Sequence, residues 1–195
     1  MGKIICLMGK SSTGKDTVFK KLLEEKELEL TTLVPYTTRP IRAEETNGVE
    51  YFFTDEEGYR KLSDAKKIIE ERVYDTYHGI WRYFTVDDGR IDLQSKSYAV
   101  IGTLEAYNQL KDFFGKESVV PVLIEVDDGK RLKRALQREM SQDIPKYEEM
   151  CRRYLADSED FAEEKIKEAE IVKRFKNDDI EKCLKDIEKY IKENI

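Results

Sequence analysis

The sequence predicts an α/β fold, a parallel sheet flanked by helices, on three observations. Short unbroken apolar runs at residues 3–8 (KIICLM), 98–103 (YAVIGT) and 119–126 (VVPVLIEV) have the length and composition of strands buried on both faces. Longer amphipathic stretches alternate with them. Residues 34–90 differ from both, being rich in aromatic and β-branched residues, with turn signals at Asn47-Gly48 and Asp88-Gly89.

Each element follows in order. The first strand runs into a Gly-rich turn and then a helix from Lys15, with Val18, Phe19, Leu22 and Leu23 at helical spacing. Residues 34–90 read as a small β-rich insertion, leaving a core of about 1–33 and 91–195 in one domain. The strand at 98–103 leads into a helix through Leu104, Tyr107, Leu110 and Phe114. In the next strand Pro121 marks a bulge or an edge position. Charged helices are predicted over 132–140 and 146–169, a short strand over 171–175 and a closing amphipathic helix over 180–191.

Composition narrows the function classes. The 195 residues carry a formal net charge of -6, which argues against nucleic acid or an anionic membrane as the main partner. Cys6, Cys151 and Cys183 show no metal-ligand spacing, and an odd, sparse set fits a reducing compartment. With no span-length apolar stretch and no signal-peptide core, a cytoplasmic location is expected.

Gly9-Lys10-Ser11-Ser12-Thr13-Gly14-Lys15 has the spacing G-x-x-x-x-G-K, directly after a predicted strand and before a predicted helix. The glycines let successive N–H groups of Ser11, Ser12, Thr13 and their neighbours turn into one concavity, and the helix N-terminus adds partial positive charge. Lys15 then reaches the β- and γ-phosphates. The sheet is therefore expected to be of the P-loop NTPase type, with ATP as co-substrate. The next residue is Asp16, with Thr17 one later. Asp16 reads either as a hard-oxygen ligand of Mg²⁺ or as an acid favoured by the helix dipole.

Within YTTRPIRAEETNGVEYFF at 36–53, Arg39, Arg42 and Tyr51 can hold one phosphate through guanidinium and hydroxyl donors; alone, two loop arginines are more often solvated surface charge. The spacing T-T-R-x-x-R-x-x-E-x-x-G-x-x-Y-x-F, carried by Thr37, Thr38, Arg39, Arg42, Glu45, Gly48, Tyr51 and Phe53, resembles the GMP-binding signature of the guanylate kinase family. The resemblance runs from Gly9 to Asn177. It implies the reaction ATP + GMP → ADP + GDP with Mg²⁺, a nucleoside-monophosphate (NMP)-binding insertion at 34–90 and a helical lid at about 134–155. It places Arg39, Arg42 and Tyr51 on the GMP phosphate, Tyr83 as a second phosphate-contacting tyrosine and Thr85 near the base. Arg134 and Arg138, four apart on one helix face, with Arg153 resemble the lid arginines that join the loop lysine on the transferred phosphoryl group. Asn177 resembles a residue near the adenine, and could also cap the last helix, as could Asp178; the two roles are compatible.

The base-reading end departs from the family. Glu70, Glu71 and Asp75 all lie near the place of the carboxylate expected to read guanine. Pro35 stands where a serine is expected, and Ile101-Gly102-Thr103 where the family has D-x-D. His78 is read as loop structure, because transfer to a phosphate acceptor asks for no general base. A kinase for another nucleoside monophosphate and a non-catalytic interaction module remain the alternatives. The latter is disfavoured by the intact Gly9, Gly14 and Lys15.

Overall fold

A computed structural model describes residues 1–76 and 79–195; His78 lies outside the described residues. The chain opens with β1 (Ile4–Met8), α1 (Lys15–Glu24) and β2 (Leu30–Thr32). Next come β3 (Tyr36–Thr37), β4 (Phe52–Phe53), α2 (Glu56–Asp64), β5 (Ile68–Thr76) and β6 (Gly79–Val86). The remainder is β7 (Ser97–Ile101), α3 (Leu104–Phe114), β8 (Val119–Glu125), α4 (Asp128–Met140), α5 (Tyr147–Asp160), α6 (Glu163–Glu168), β9 (Arg174–Lys176) and α7 (Ile180–Lys192).

Every β1 residue is apolar and fully buried, because each of its faces is covered. Ile4, Cys6 and Met8 meet Tyr98, Val100, Leu104, Tyr107 and Leu110 on the α3 side. Ile5 and Leu7 meet Val18, Leu22, Ile187 and Ile191 beneath α1 and α7. Burying each such side chain contributes about 1.5–3 kcal/mol, so β1 is the anchor of the core. The five core strands lie parallel in the order β2-β7-β1-β8-β9. The chain passes to opposite sides of β1, which opens a crevice at the carboxyl ends of these strands.

The aromatic segment forms a separate four-stranded sheet, β4-β3-β6-β5, with α2 on one face. Across it Glu70 pairs with Thr85 and Arg72 with Tyr83, whereas Glu71 pairs with Phe84. The first two pairs therefore point to one face and the third to the other.

Two sequence expectations change and a third narrows to one of its alternatives. Pro121 causes no bulge: β8 keeps register with β1 through it, and β9 joins only from Leu123, so the proline lies where β8 has one neighbour. The stretch 146–169 is two helices, α5 and α6, because the chain turns at Phe161 to bury that ring with Ile166 in the core. The late strand starts at Arg174, since Ile171 is spent in the same core cluster. Among the described residues no helix is long and apolar enough to cross a membrane.

Candidate active site

The loop after β1 is built for close backbone approach. Gly9 has φ 153°, and a Cβ there would lie 2.4 Å from the Ile124 carbonyl oxygen. Gly14 is left-handed at φ 85°, and a Cβ would lie 2.6 Å from Asn177 Nδ2. Any other residue at either position displaces the loop. Ser12 adopts φ 64°, Thr13 Oγ1 donates to Lys10 O at 2.9 Å, and Thr13 is buried. The amides of Ser12, Gly14, Lys15 and Asp16 have no protein acceptor among the described residues. Those of Lys15 and Asp16 also open α1, where the first-turn donors and the dipole favour an anion. Asp16 and Thr17 are exposed on that turn, and Asp16 has no ion-pair or hydrogen-bond partner among the described residues.

Asn177 supports this loop from below. Its Nδ2 donates to Thr13 O at 2.8 Å and its own amide donates to Glu125 O at 2.8 Å. It caps no helix, and nor does Asp178, which pairs with Lys130; α7 is capped by Asp179, which accepts from Lys182 N at 2.9 Å.

Two charged residues that sequence reasoning passed over tie the loop to the helices above it. Asp157 of α5 accepts from Ser11 N at 2.8 Å and from Ser11 Oγ at 3.2 Å. Arg131 of α4, 1% exposed, donates from Nη1 to Ser11 O at 3.1 Å and to Asp157 at 3.2 Å, and from Nε to Asp128 at 3.0 Å. The Tyr154 ring covers its guanidinium carbon at 4.7 Å. Helix periodicity offered the one available signal, since Arg131, Ala135 and Glu139 form the inward stripe of α4.

The three lid candidates are exposed residues beside this network. Arg134 reaches Ser12 O at 3.5 Å and Asn177 O at 3.4 Å. Arg138 and Arg153 line a narrow cavity with Ser11, Ser12 and Tyr154. Arg153 is held between Glu139 at 3.7 Å and Glu149 at 3.6 Å, while Arg152 is exposed and, among the described residues, paired with Glu149 alone.

On the small sheet, Arg39 is buried and its two terminal nitrogens donate to Glu45 at 2.9 and 2.6 Å. That fork holds the Glu45 carboxyl below its usual range, and Glu45 also accepts from Arg42 N at 2.8 Å. The Tyr51 ring lies 5.5 Å from the Arg39 guanidinium carbon and 5.5 Å from the Tyr83 ring. Arg42 is exposed. Further along the same face, Glu70 is 2% exposed and accepts from Thr85 Oγ1 at 2.8 Å. Cys6 of β1 lies beneath; its thiol is pushed up to about 12, first by burial and then by the Glu70 charge. Glu71 is withdrawn to the opposite face, bound to Arg82 at 2.7 Å and to the Tyr59 hydroxyl at 2.9 Å, and Asp75 is exposed near the hairpin end. The expectation that Glu71 faces the base is corrected by strand parity: adjacent strand residues point to opposite faces. Thr103, in the place of the second D-x-D carboxylate, caps α3 by accepting from Ala106 N at 3.2 Å.

A parallel sheet with this loop at its carboxyl edge, facing an arginine-bearing insertion, defines a P-loop nucleotide-binding protein. A family model described as guanylate kinase matches residues 1–87, which include both the loop and the arginine segment. A guanylate kinase of Wolbachia pipientis is 31% identical over 196 residues, covering 95% of this chain and 87% of its own length. One of Porphyromonas gingivalis is 29% identical over 194 residues, covering 98% and 97%. The crystal structure of guanylate kinase from Anaplasma phagocytophilum shares the fold with a TM-score of 0.64 at 23% identity, covering all of this chain and 87% of that one. The chain belongs to the guanylate kinase family.

Replacing Asp157 by Ala leaves the buried Arg131 with Asp128 as its remaining carboxylate and removes the acceptor of Ser11 N, so urea unfolding should show a loss of about 1.5–3 kcal/mol. Adding Arg131→Met should recover most of it. A double variant no more stable than Asp157→Ala would show that the two residues do not act as a pair.

Proposed function

We propose that the chain transfers the γ-phosphoryl group of ATP to GMP, and to dGMP, giving ADP and GDP or dGDP. The observation that carries this reading is the single face of the small sheet with Arg39, Tyr51 and Tyr83 at one end and buried Glu70 with Thr85 at the other. The first group suits a phosphate monoester, by guanidinium and phenol donors. The second suits guanine, whose N1–H and N2–H a carboxylate can accept together.

Each residue then has a defined task. The free amides of the loop bind the polyphosphate and Lys15 neutralises its β- and γ-oxygens. Arg134, Arg138 and Arg153, in a lid formed by α4 and α5, face the transferred group, where charge spreads over its equatorial oxygens. Arg39 holds the acceptor phosphate, pre-oriented by Glu45, and Arg42 closes on it from solvent. Glu70 reads the base, leaving Glu71 to brace β6 and α2. Asn177 sets the loop's shape from below. The acceptor, with a second pKa of about 6, is already a dianion at neutral pH, so no base is needed and catalysis is positioning plus positive charge.

Mg²⁺ fits the donor set. Such an ion takes one or two carboxylates and otherwise phosphate and water oxygens. Asp16, exposed beside the loop amides with no protein partner among the described residues, would hold it. When bound, the ion supplies charge neutralisation to the phosphates.

A coupled ADP-release assay against a panel of ribo- and deoxynucleoside monophosphates tests the reading; turnover confined to GMP and dGMP is expected, and preference for another base overturns it. Lys15→Ala should lower kcat on the order of a hundredfold or more with the circular dichroism spectrum unchanged. Arg39→Ala should raise the GMP KM about tenfold or more and lower kcat while leaving the ATP KM nearly fixed. The value of kcat/KM for GMP should rise with pH to a plateau above about 7, following the acceptor's second ionisation near about 6. Glu45 does not shape that limb. A carboxyl with a lowered folded pKa keeps its pairing above its unfolded pKa and loses it only as pH falls through the folded one, well below this window.

A further inference from the structure

Arg72 shares the acceptor face with Glu70 and is an unexpected occupant of it. Its Nη2 donates to Glu70 Oε1 at a long 3.5 Å. Its Nε lies 3.3 Å from Oε2 but out of line, so both of those buried atoms are left without a hydrogen bond. A guanidinium carries five N–H donors, and among the described residues Arg72 uses one. A buried ion pair this loosely made contributes little to stability against its desolvation. What it retains is unused donor and acceptor capacity side by side.

Arg72 opens on a cavity. Arg72 lines a space of about 570 Å³ with Tyr74, Thr103, Glu105, Gln109 and Asp160, within the range of small-ligand pockets of roughly 300–1,000 Å³. In the strand register Arg72 stands opposite Tyr83, level with the phosphate end, and its guanidinium reaches back to Glu70, which stands opposite Thr85 at the base end. Thr103, on the cavity's far wall, supplies no charge and is committed to capping α3.

We propose that Arg72 is a specificity-determining residue for the acceptor base, donating to O6 of guanine while Glu70 accepts from N1–H and N2–H. The proposal rests on the reading of the acceptor as GMP. Guanine presents an acceptor at O6 beside two donors at N1 and N2, and a guanidinium next to a carboxylate complements that order. Adenine sets an amino group against Arg72, donor to donor, and a site built to be paired rejects such a mismatch strongly. Hypoxanthine keeps O6 but lacks the N2 donors. The two residues thus divide the discrimination: Arg72 distinguishes the 6-substituent, Glu70 the 2-substituent.

The test is steady-state kinetics of the full chain with GMP, IMP and 6-thio-GMP, whose sulfur is a weaker acceptor than O6. In Arg72→Ala, kcat/KM for GMP should fall about tenfold or more, chiefly through KM, since a hydrogen bond to a charged group is lost. The preference for GMP over 6-thio-GMP should shrink toward one, and that for GMP over IMP should stay as in the wild type. Arg72→Lys, which keeps a charged donor, should restore part of the first preference. Glu70→Gln should do the reverse, collapsing the GMP-over-IMP preference alone. The proposal is overturned if Arg72→Ala binds GMP as tightly as the wild type or more tightly, the guanidinium then merely filling the site. It is also overturned if GMP, IMP and 6-thio-GMP all fall equally with a lowered Tm, the role then being structural. A wild-type enzyme that ignores GMP but turns over another nucleotide overturns the function reading, and this proposal with it, before any variant is made.

Discussion

Two polyanions have to be held in contact inside a chain that is itself net negative, and the structure depends on how that repulsion is met. The first answer is backbone rather than side chain. A fully buried strand delivers the chain to a loop whose Gly9 and Gly14 occupy conformations and spaces that admit no Cβ. Its free amides then converge at the start of α1. Amides and a helix dipole carry positive potential without a net charge to desolvate, so the loop can sit at the edge of an apolar core. Its shape is fixed from two sides. Asn177 grips Thr13 O from β9's end, and Asp157 with Arg131 grips Ser11 from the lid side.

The second answer is arginine, and here the protein separates placement from exposure. Arg39 is buried and bound by a carboxylate fork, fixed before any acceptor arrives, while Arg42, Arg134, Arg138 and Arg153 remain near solvent. A pre-oriented guanidinium loses little further entropy on binding a phosphate. The exposed ones are those proposed to close around the transferred group, Arg153 leaving Glu139 and Glu149 to do so. This division follows from chemistry: the acceptor's phosphate is present throughout, whereas the charge on the moving phosphoryl group peaks only in transit.

Much of this was legible in the residues. The loop's spacing, its strand-then-helix context and the T-T-R-x-x-R run are local patterns, and the fold honours each of them. The β-rich texture of 34–90 likewise announced a separate sheet. What could not be read depended on parity and on long-range pairing. Glu70 and Glu71 are adjacent in sequence, and a bulge at 68–70 in β5 helps decide which one faces the acceptor cavity. Arg131 and Asp157 are 26 residues apart on different helices, and each looks like ordinary surface charge on its own. Asn177 was read as a residue near the adenine or a cap of the last helix; it caps no helix, and its partner is Thr13 O, a backbone atom that no side-chain pattern reveals.

The two buried ion pairs, Arg131–Asp157 and Arg72–Glu70, differ in a way that bears on what each is for. The first is the more fully engaged: Asp157 bonds both polar atoms of Ser11, and Arg131 spans a carbonyl and two carboxylates, with Nη2 left without a hydrogen bond. Such a network repays its desolvation only by fixing position, and it fixes the loop that must not move. The second has one long hydrogen bond and two buried atoms left unpaired, and Arg72 lines a cavity. An ion pair left unfinished inside a protein is destabilising relative to an apolar filling, so its presence on the acceptor face is better explained by a ligand that completes it. Guanine completes both halves at once, whereas adenine completes neither. The first pair thus fixes the phosphate-binding loop, and the second is the one proposed to supply the selectivity.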